Sequence, residues 1–313
     1  MKKMVKALSL PCLALLFAAV GTGCAINTLV ANALTGDGAA VVFTGDPDPE
    51  LVRDALPFAI KMYEALLHNT PGHQGLMLTT GSLFIMYANA FVHGPADMLP
   101  FYEWQALETA LARAKQLYLR GHRIILDALE GRHRGFAAAA QSEDTLRPFL
   151  RRFRSRDVPL LYWAVVSGLA AYSVNVFDFE LAANIPKWHL MIERALELNP
   201  DFAGLDEFLV LYFSSLPEML GGDKERARHH FRRAMEKTGG TSTSALLSYA
   251  QSISVPEQDF YTFEEHLQRV LAINPDDNPG NRLVTILDQR RARWLLDNAY
   301  TFFAFLPFPY DDY

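Results

Sequence analysis

One short helical pattern constrains this chain more than any other feature. A bulky apolar residue is followed by two variable residues, a small or branched residue, and then Leu or Met. The pattern occurs as Met62, Ala65, Leu66; as Ile192, Ala195, Leu196; as Phe231, Ala234, Met235; and as Leu267, Val270, Leu271. Positions i, i+3 and i+4 share one face of a helix, so each copy is a packing surface in which the small residue admits a neighbouring helix closely. Each copy runs into a stop signal: Thr70-Pro71, Asn199-Pro200, Gly239-Gly240 and Asn274-Pro275. Proline cannot continue a helix, and Asn or Gly can adopt the left-handed cap conformation.

The spacing is 39 residues from Ala195 to Ala234 and 36 from Ala234 to Val270. A period of about 34 residues with two helices per unit is the tetratricopeptide signature. These repeats run slightly long and are degenerate. The expected fold is therefore all-α: tetratricopeptide-like helical hairpins stacked into a curved array, each burying its apolar face on the next. Partner helices are expected over 75–92, 97–129 (one or two helices, with Gly121 a break point), 160–176, 205–216 and 244–253. A terminal capping helix over 281–300 would turn Leu287, Trp294 and Leu295 inward and Arg290, Arg291 and Arg293 outward. No stretch shows sustained two-residue alternation, so no sheet is expected.

The N-terminus reads as an export signal. Lys2, Lys3 and Lys6 precede a mostly apolar run from Leu8 to Val20, too short to span a bilayer, which needs about 20 apolar residues. Gly21, Thr22 and Gly23 then lead to Cys24. The other cysteine, Cys12, lies within the segment that would be removed, so the mature chain has no disulfide and must be held together by packing. The order matches a bacterial lipoprotein box, with Cys24 lipidated, although Gly21 stands where that pattern prefers Leu. An ordinary signal cleaved nearby is the alternative. The domain plan is thus signal peptide 1–23, tether 24–49, helical domain 50–300 and aromatic tail 301–313. In the tether, Ile26, Leu29, Val30, Ala33 and Leu34 fall at helical spacing and Gly36-Asp37-Gly38 end that helix; Asp48 and Pro49 then cap the next. No later segment was expected to span a membrane.

Removing 1–23 takes away three lysines and no acid, so net charge goes from −6 to −9. An acidic chain argues against nucleic acid as a partner. Arg151, Arg152, Arg154 and Arg156 read as a solvated helix end or loop. Catalysis has little support: there is no His-Glu-x-x-His pattern, Gly-x-Ser-x-Gly elbow or phosphate loop. His229 and His230 read as surface residues, and no cofactor or metal site is expected. Two segments suggest binding. Tyr87, Asn89 and Phe91 place an amide among apolar side chains near a helix end, where it either satisfies the following turn or contacts a ligand or partner. Tyr162 and Trp163 lie in a helix otherwise rich in small residues, either as core or as a pocket wall. The run Phe302, Phe303, Phe305, Leu306, Phe308 and Tyr310 requires cover from this chain, a neighbouring subunit or a partner.

Several strings resemble TatT, the tetratricopeptide-type accessory lipoprotein, or T component, of TRAP transporters. They are 48–63 (DPELVRDALPFAIKMY), 86–95 (MYANAFVHGP), 114–123 (AKQLYLRGHR), 157–163 (DVPLLYW), 193–201 (ERALELNPD), 221–233 (GGDKERARHHFRR) and 281–296 (NRLVTILDQRRARWLL). The resemblance implies a periplasmic lipoprotein that docks the solute-binding component of a TRAP transporter. It also implies a homotrimer with an internal cavity, and a small hydrophobic or organic-acid ligand. Ala25, lacking an acidic side chain after Cys24, favours the outer membrane. Two other classes remain: a general tetratricopeptide scaffold lipoprotein for envelope assembly, and an envelope hydrolase, which would need clustered, perturbed carboxylates or histidines in a cleft.

Overall fold

The computed structural model describes residues 37–306, which are helical with no strand. The signal segment, Cys24, the 26–34 helix, Phe308 and Tyr310 lie outside the described residues. Ten principal helices follow one another: α1 Pro49–Asn69, α2 Gln74–Ala88, α3 Trp104–Arg132, α4 Val158–Ser173, α5 Ile185–Leu198, α6 Leu205–Ser215, α7 Lys224–Lys237, α8 Thr243–Tyr249, α9 Phe260–Ala272 and α10 Arg282–Asp297. Short helical turns join them. α1 begins as its sequence dictates, with the Asp48 carboxylate accepting from the Glu50 and Leu51 amides at 3.0 Å and Pro49 in the first turn. Asp37 and Gly38, expected to help end a helix, instead lie in one (Asp37–Thr44) that packs on α10.

Two expectations about the repeats need correction. Ala195, Ala234 and Val270 are fully buried, as the pattern requires. Ala65 is exposed and Met62 is 49% exposed, because α1 turns Val52, Leu56, Ile60 and Tyr63 to the core instead. The stops also work differently. Asn199 and Asn274 are not left-handed (φ −156° and −78°); their side chains accept from the Asp201 and Asp276 amides and form turns. Positive φ occurs at Gly239 and Gly240 and, just past Thr70-Pro71, at Gly72.

Packing runs in chain order: α1 on α2, α2 on α3, α3 on α4, α4 on α5, α6 on α7, α7 on α8, α8 on α9 and α9 on α10. Three apolar cores result, and Trp163 touches the first two. α10 does not simply cap the end. Leu283 is buried in the core built by α1 and α2, and Arg290 binds both oxygens of Glu50 at 2.7 and 3.1 Å. The last helix therefore docks on the first, and the array closes on itself.

The stretch Gln74–Ala96 carries no charged residue and is long and apolar enough to cross a membrane. It was not singled out from the sequence. It is the central core helix, with Leu76, Leu83, Phe84 and Ile85 at 3% exposure or less. Gly121 does not break α3, which is continuous. It is the point of closest approach to α2: a Cβ there would lie 2.7 Å from the Gly81 carbonyl oxygen. Backbone cannot yield as a flexible side chain can, so overpacking dominates any gain in helix propensity. Gly121→Val is expected to lower stability by about 2–3 kcal/mol in urea unfolding, with loss of α2–α3 packing; an unchanged midpoint would show the contact is not tight.

Candidate functional site

The sequence-derived candidates fall into two separate places. α2 ends in a π-helical turn, Asn89–His93, before Gly94-Pro95. Such turns often mark functional sites. Asn89 is exposed, and its side-chain oxygen accepts from the buried Tyr118 hydroxyl at 3.4 Å rather than from the following turn. The Tyr87 hydroxyl accepts from Arg113, whose guanidinium sits 5.7 Å from the Tyr87 ring centre, and Phe91 packs on Tyr87. Phe91, Val92, Gln105, Ala106, Thr109 and Arg113 line a groove of about 510 Å³ between this turn and the start of α3. Phe101 (92% exposed), Tyr102 (68%) and Trp104 (58%) stand immediately before it in the chain, with no core against which to bury.

Tyr162 and Trp163 lie elsewhere. The Tyr162 ring meets Trp163, Phe202 and Phe208 edge-on at 5.2–5.6 Å. Gly204, at φ 77°, brings backbone against the tyrosine hydroxyl, where a Cβ would sit 3.4 Å away. Tyr162 is half-buried, yet burial and the Glu207 charge push its hydroxyl well above its ordinary pKa.

The same combination identifies residues that sequence reasoning missed. Asp288 on α10 is half-buried, and burial pushes its carboxyl up to about 6. Its Oδ2 accepts from Thr243 and Ser244 hydroxyls at 2.7 and 2.8 Å, and no cation pairs with it among the described residues. Arg291, expected outside, points inward. Its Nε reaches Gln251 at 3.4 Å and its Nη2 reaches Asp97 at 3.6 Å, while Nη1 is enclosed without a partner. Burial lowers its pKa, against the pull of Asp97. Gln251 belongs to the second π-helical turn, Ala250–Ser254. On α3, half-buried His122 lies 2.8 Å from the Ser167 hydroxyl, and burial pushes it down to about 4. The signal was present: Leu287, Arg291 and Leu295 are spaced by four and so share one stripe.

His230 also contradicts its surface assignment. It is 3% exposed and lies 2.7 Å from Asp206, which also pairs with Arg233 and Lys237. Burial alone would raise the Asp206 carboxyl, but its bonds to His230, Lys237 and Arg233 hold it far below the usual range. This fully paired knot pins α7 to α6 and leaves no free chemistry. Of the Arg151–Arg156 cluster, Arg152 stacks on Phe149 at 4.3 Å and Arg154 bonds backbone carbonyls, which is the structural role expected. No group of three metal-ligating side chains occurs among the described residues.

Residues 45–303 match the TRAP transporter T-component family, a span that takes in the groove, Tyr162, Asp288 and Arg291. The chain belongs to this family. An uncharacterised protein of Treponema pallidum (strain Nichols) is 37% identical over 266 residues, covering 84% of this chain and 82% of that protein. In this T-component an aromatic groove lies outside, while Asp288 meets α8 hydroxyls and Arg291 meets Asp97 and Gln251.

The Asp288 titration carries a sign. Its folded pKa lies above the unfolded value of 3.8, so stability is greatest below pH 3.8 and is lost as pH rises through 6. Asp288→Asn keeps the hydroxyl contacts and removes that cost. It is expected to raise stability by roughly 1–3 kcal/mol at pH 7.5 and to change little at pH 3.5, measured by urea unfolding at both pH values. His122 acts oppositely, losing stability as pH falls from 6.5 towards 4, and the mutant-minus-wild-type difference cancels it.

Proposed function

We propose that this T-component is a periplasmic lipoprotein, anchored through Cys24, that docks the solute-binding component of a TRAP transporter and passes it a small hydrophobic or organic-acid ligand. Membership of the T-component family, matched over residues 45–303, carries the reading. The signal segment and the lipoprotein-like order ending in Cys24 support export and anchoring. The slightly long repeat period and the order of helix packing support tetratricopeptide-like hairpins. Closure of the array by α10 gives those hairpins an inside. In this reading Tyr162 and Trp163 offer apolar wall at the first core, and Asp288 offers charge at the separate seam between α8 and α10.

The docking surface in this reading is the groove at Phe91 and Arg113 together with the exposed rings of Phe101, Tyr102 and Trp104. Aromatic side chains surrounding a concavity are the usual anchors of a protein interface, because they bury much area at small entropic cost. Tyr87 and Asn89 hold the groove's wall through Arg113 and Tyr118. By family resemblance the protein works as a homotrimer.

Calorimetric titration against a TRAP solute-binding component from the same organism tests the reading. Micromolar or tighter binding is expected. Phe101→Ala with Trp104→Ala should weaken it about tenfold or more without moving the melting temperature, since neither ring supports the core. Absence of binding with both proteins folded would overturn the docking role. Full affinity in the double variant would move the interface away from this groove.

A further inference from the structure

The first helix of the domain leaves a second apolar face bare. Leu51, Ala55, Phe58, Met62 and Ala65 follow one another on α1 at spacings of four, three, four and three residues. At 100° per residue they fall within about 40° of a common line, on the side turned away from Val52, Leu56, Ile60 and Tyr63. All five are exposed, Leu51 to 58%, Phe58 to 71% and Met62 to 49%. An apolar repeat of 3.5 residues is the seam by which one helix receives another. The charges beside it are already engaged: Arg53 with Asp54, Lys61 and Arg120 with Glu64, and Arg290 with Glu50. The seam therefore fits an apolar helix that brings no charge of its own.

Such a segment stands in the sequence immediately before Asp37. Residues 24–36 carry no charged side chain. Ile26, Leu29, Val30, Ala33 and Leu34 share one side at helical spacing, and Thr28, Asn32 and Thr35 fall opposite. The segment precedes the family match, which begins at residue 45.

We propose that residues 26–34 form a helix that docks on the α1 seam of the same chain, strapping the mature N-terminus to the domain. Nine residues are too few to hold a helix unaided in water, where about 12–15 are needed, so the segment requires a surface. Thr35-Gly36 joins it to the helix Asp37–Thr44, which packs on α10, and residues 45–48 lead from there into α1. Both connections have the ordinary length for neighbouring helices. Residues 24–36 reach about 45 Å when extended, and the seam is about 21 Å long, so all of it is within range. Joined this closely, the two surfaces meet at an effective concentration on the order of millimolar, and a modest contact suffices. With Cys24 as the anchor proposed above, the strap sets which side of the domain faces the membrane.

The test uses the full mature chain with Cys24→Ser, which then holds no cysteine except those introduced. Val30→Cys is combined in turn with Leu51→Cys, Phe58→Cys and Met62→Cys. A short bismaleimide is expected to close at least one pair within the monomer, about tenfold or more faster than it closes Val30→Cys with Glu236→Cys, an exposed position on α7. In a second measurement, Phe58→Ala with Met62→Ala should lower the melting temperature by about 2–4 °C. The same pair should change nothing once Leu29→Ser and Val30→Ser are present, because only residues in contact are non-additive. Cross-links formed only between two chains would seat a second copy on the seam. Loss of the cross-link on adding vesicles of phosphatidylethanolamine and phosphatidylglycerol would assign the segment to the bilayer. No preference over the α7 control, with additive substitutions, would leave the seam bare. Each of these three results overturns the proposal.

Discussion

Everything inside this protein depends on α10 reaching back to α1. Leu283 enters the apolar core formed by the first hairpin, and Leu287 packs at its edge. The Arg290–Glu50 pair is half-exposed at both ends and contributes little by itself, as exposed ion pairs generally do. Burying a leucine is worth about 1.5–3 kcal/mol, so the apolar contact, not the ion pair, holds the closure. Without it α10 would keep its packing on α8 and α9 but lose its hold on the first hairpin.

Closure changes what the charges mean. Asp206 shows the ordinary solution for a buried acid: three cationic partners and a depressed pKa. Asp288, in the same domain, has hydroxyls only, and its pKa goes up. The contrast separates a structural knot from a group left reactive. It also separates the interior from the exterior groove, where the exposed rings of Phe101, Tyr102 and Trp104 favour a protein surface. This T-component thus presents an aromatic surface outside and charged side chains along the seam between α8 and α10.

Much of this was legible from local rules. The Asp48-Pro49 start, the all-helical composition and three of the four small packing residues follow from capping geometry and helical spacing. What escaped depends on tertiary context. Gly121 looks like a breaker locally, and only the nearby Gly81 backbone explains it. Met62 and Ala65 have the right spacing, but α1 has neighbours on another face. Arg290, Arg291 and Arg293 look like one basic side, although 100° per residue places Arg291 with Leu287 and Leu295. His230 was read from its charged neighbours, while Asp206 lies on another helix. Of the candidate site, Phe91 lines the outer groove and Tyr162 packs among rings, and the four-residue spacing of Leu287, Arg291 and Leu295 was the one local sign that Arg291 turns inward.

The central claim is that α10 turns a carboxyl without a cationic partner into its seam with α8, and Asp288 reports on it directly. Following the Asp288 side-chain carboxyl carbon by NMR from pH 3 to pH 8 measures its titration in the folded protein. The account predicts a midpoint near 6 in the wild type and a shift towards the ordinary carboxylate value when Leu295→Ala loosens the core shared by α8, α9 and α10. A midpoint near 3.8 in the wild type would mean that the carboxylate faces open water and not the seam with α8.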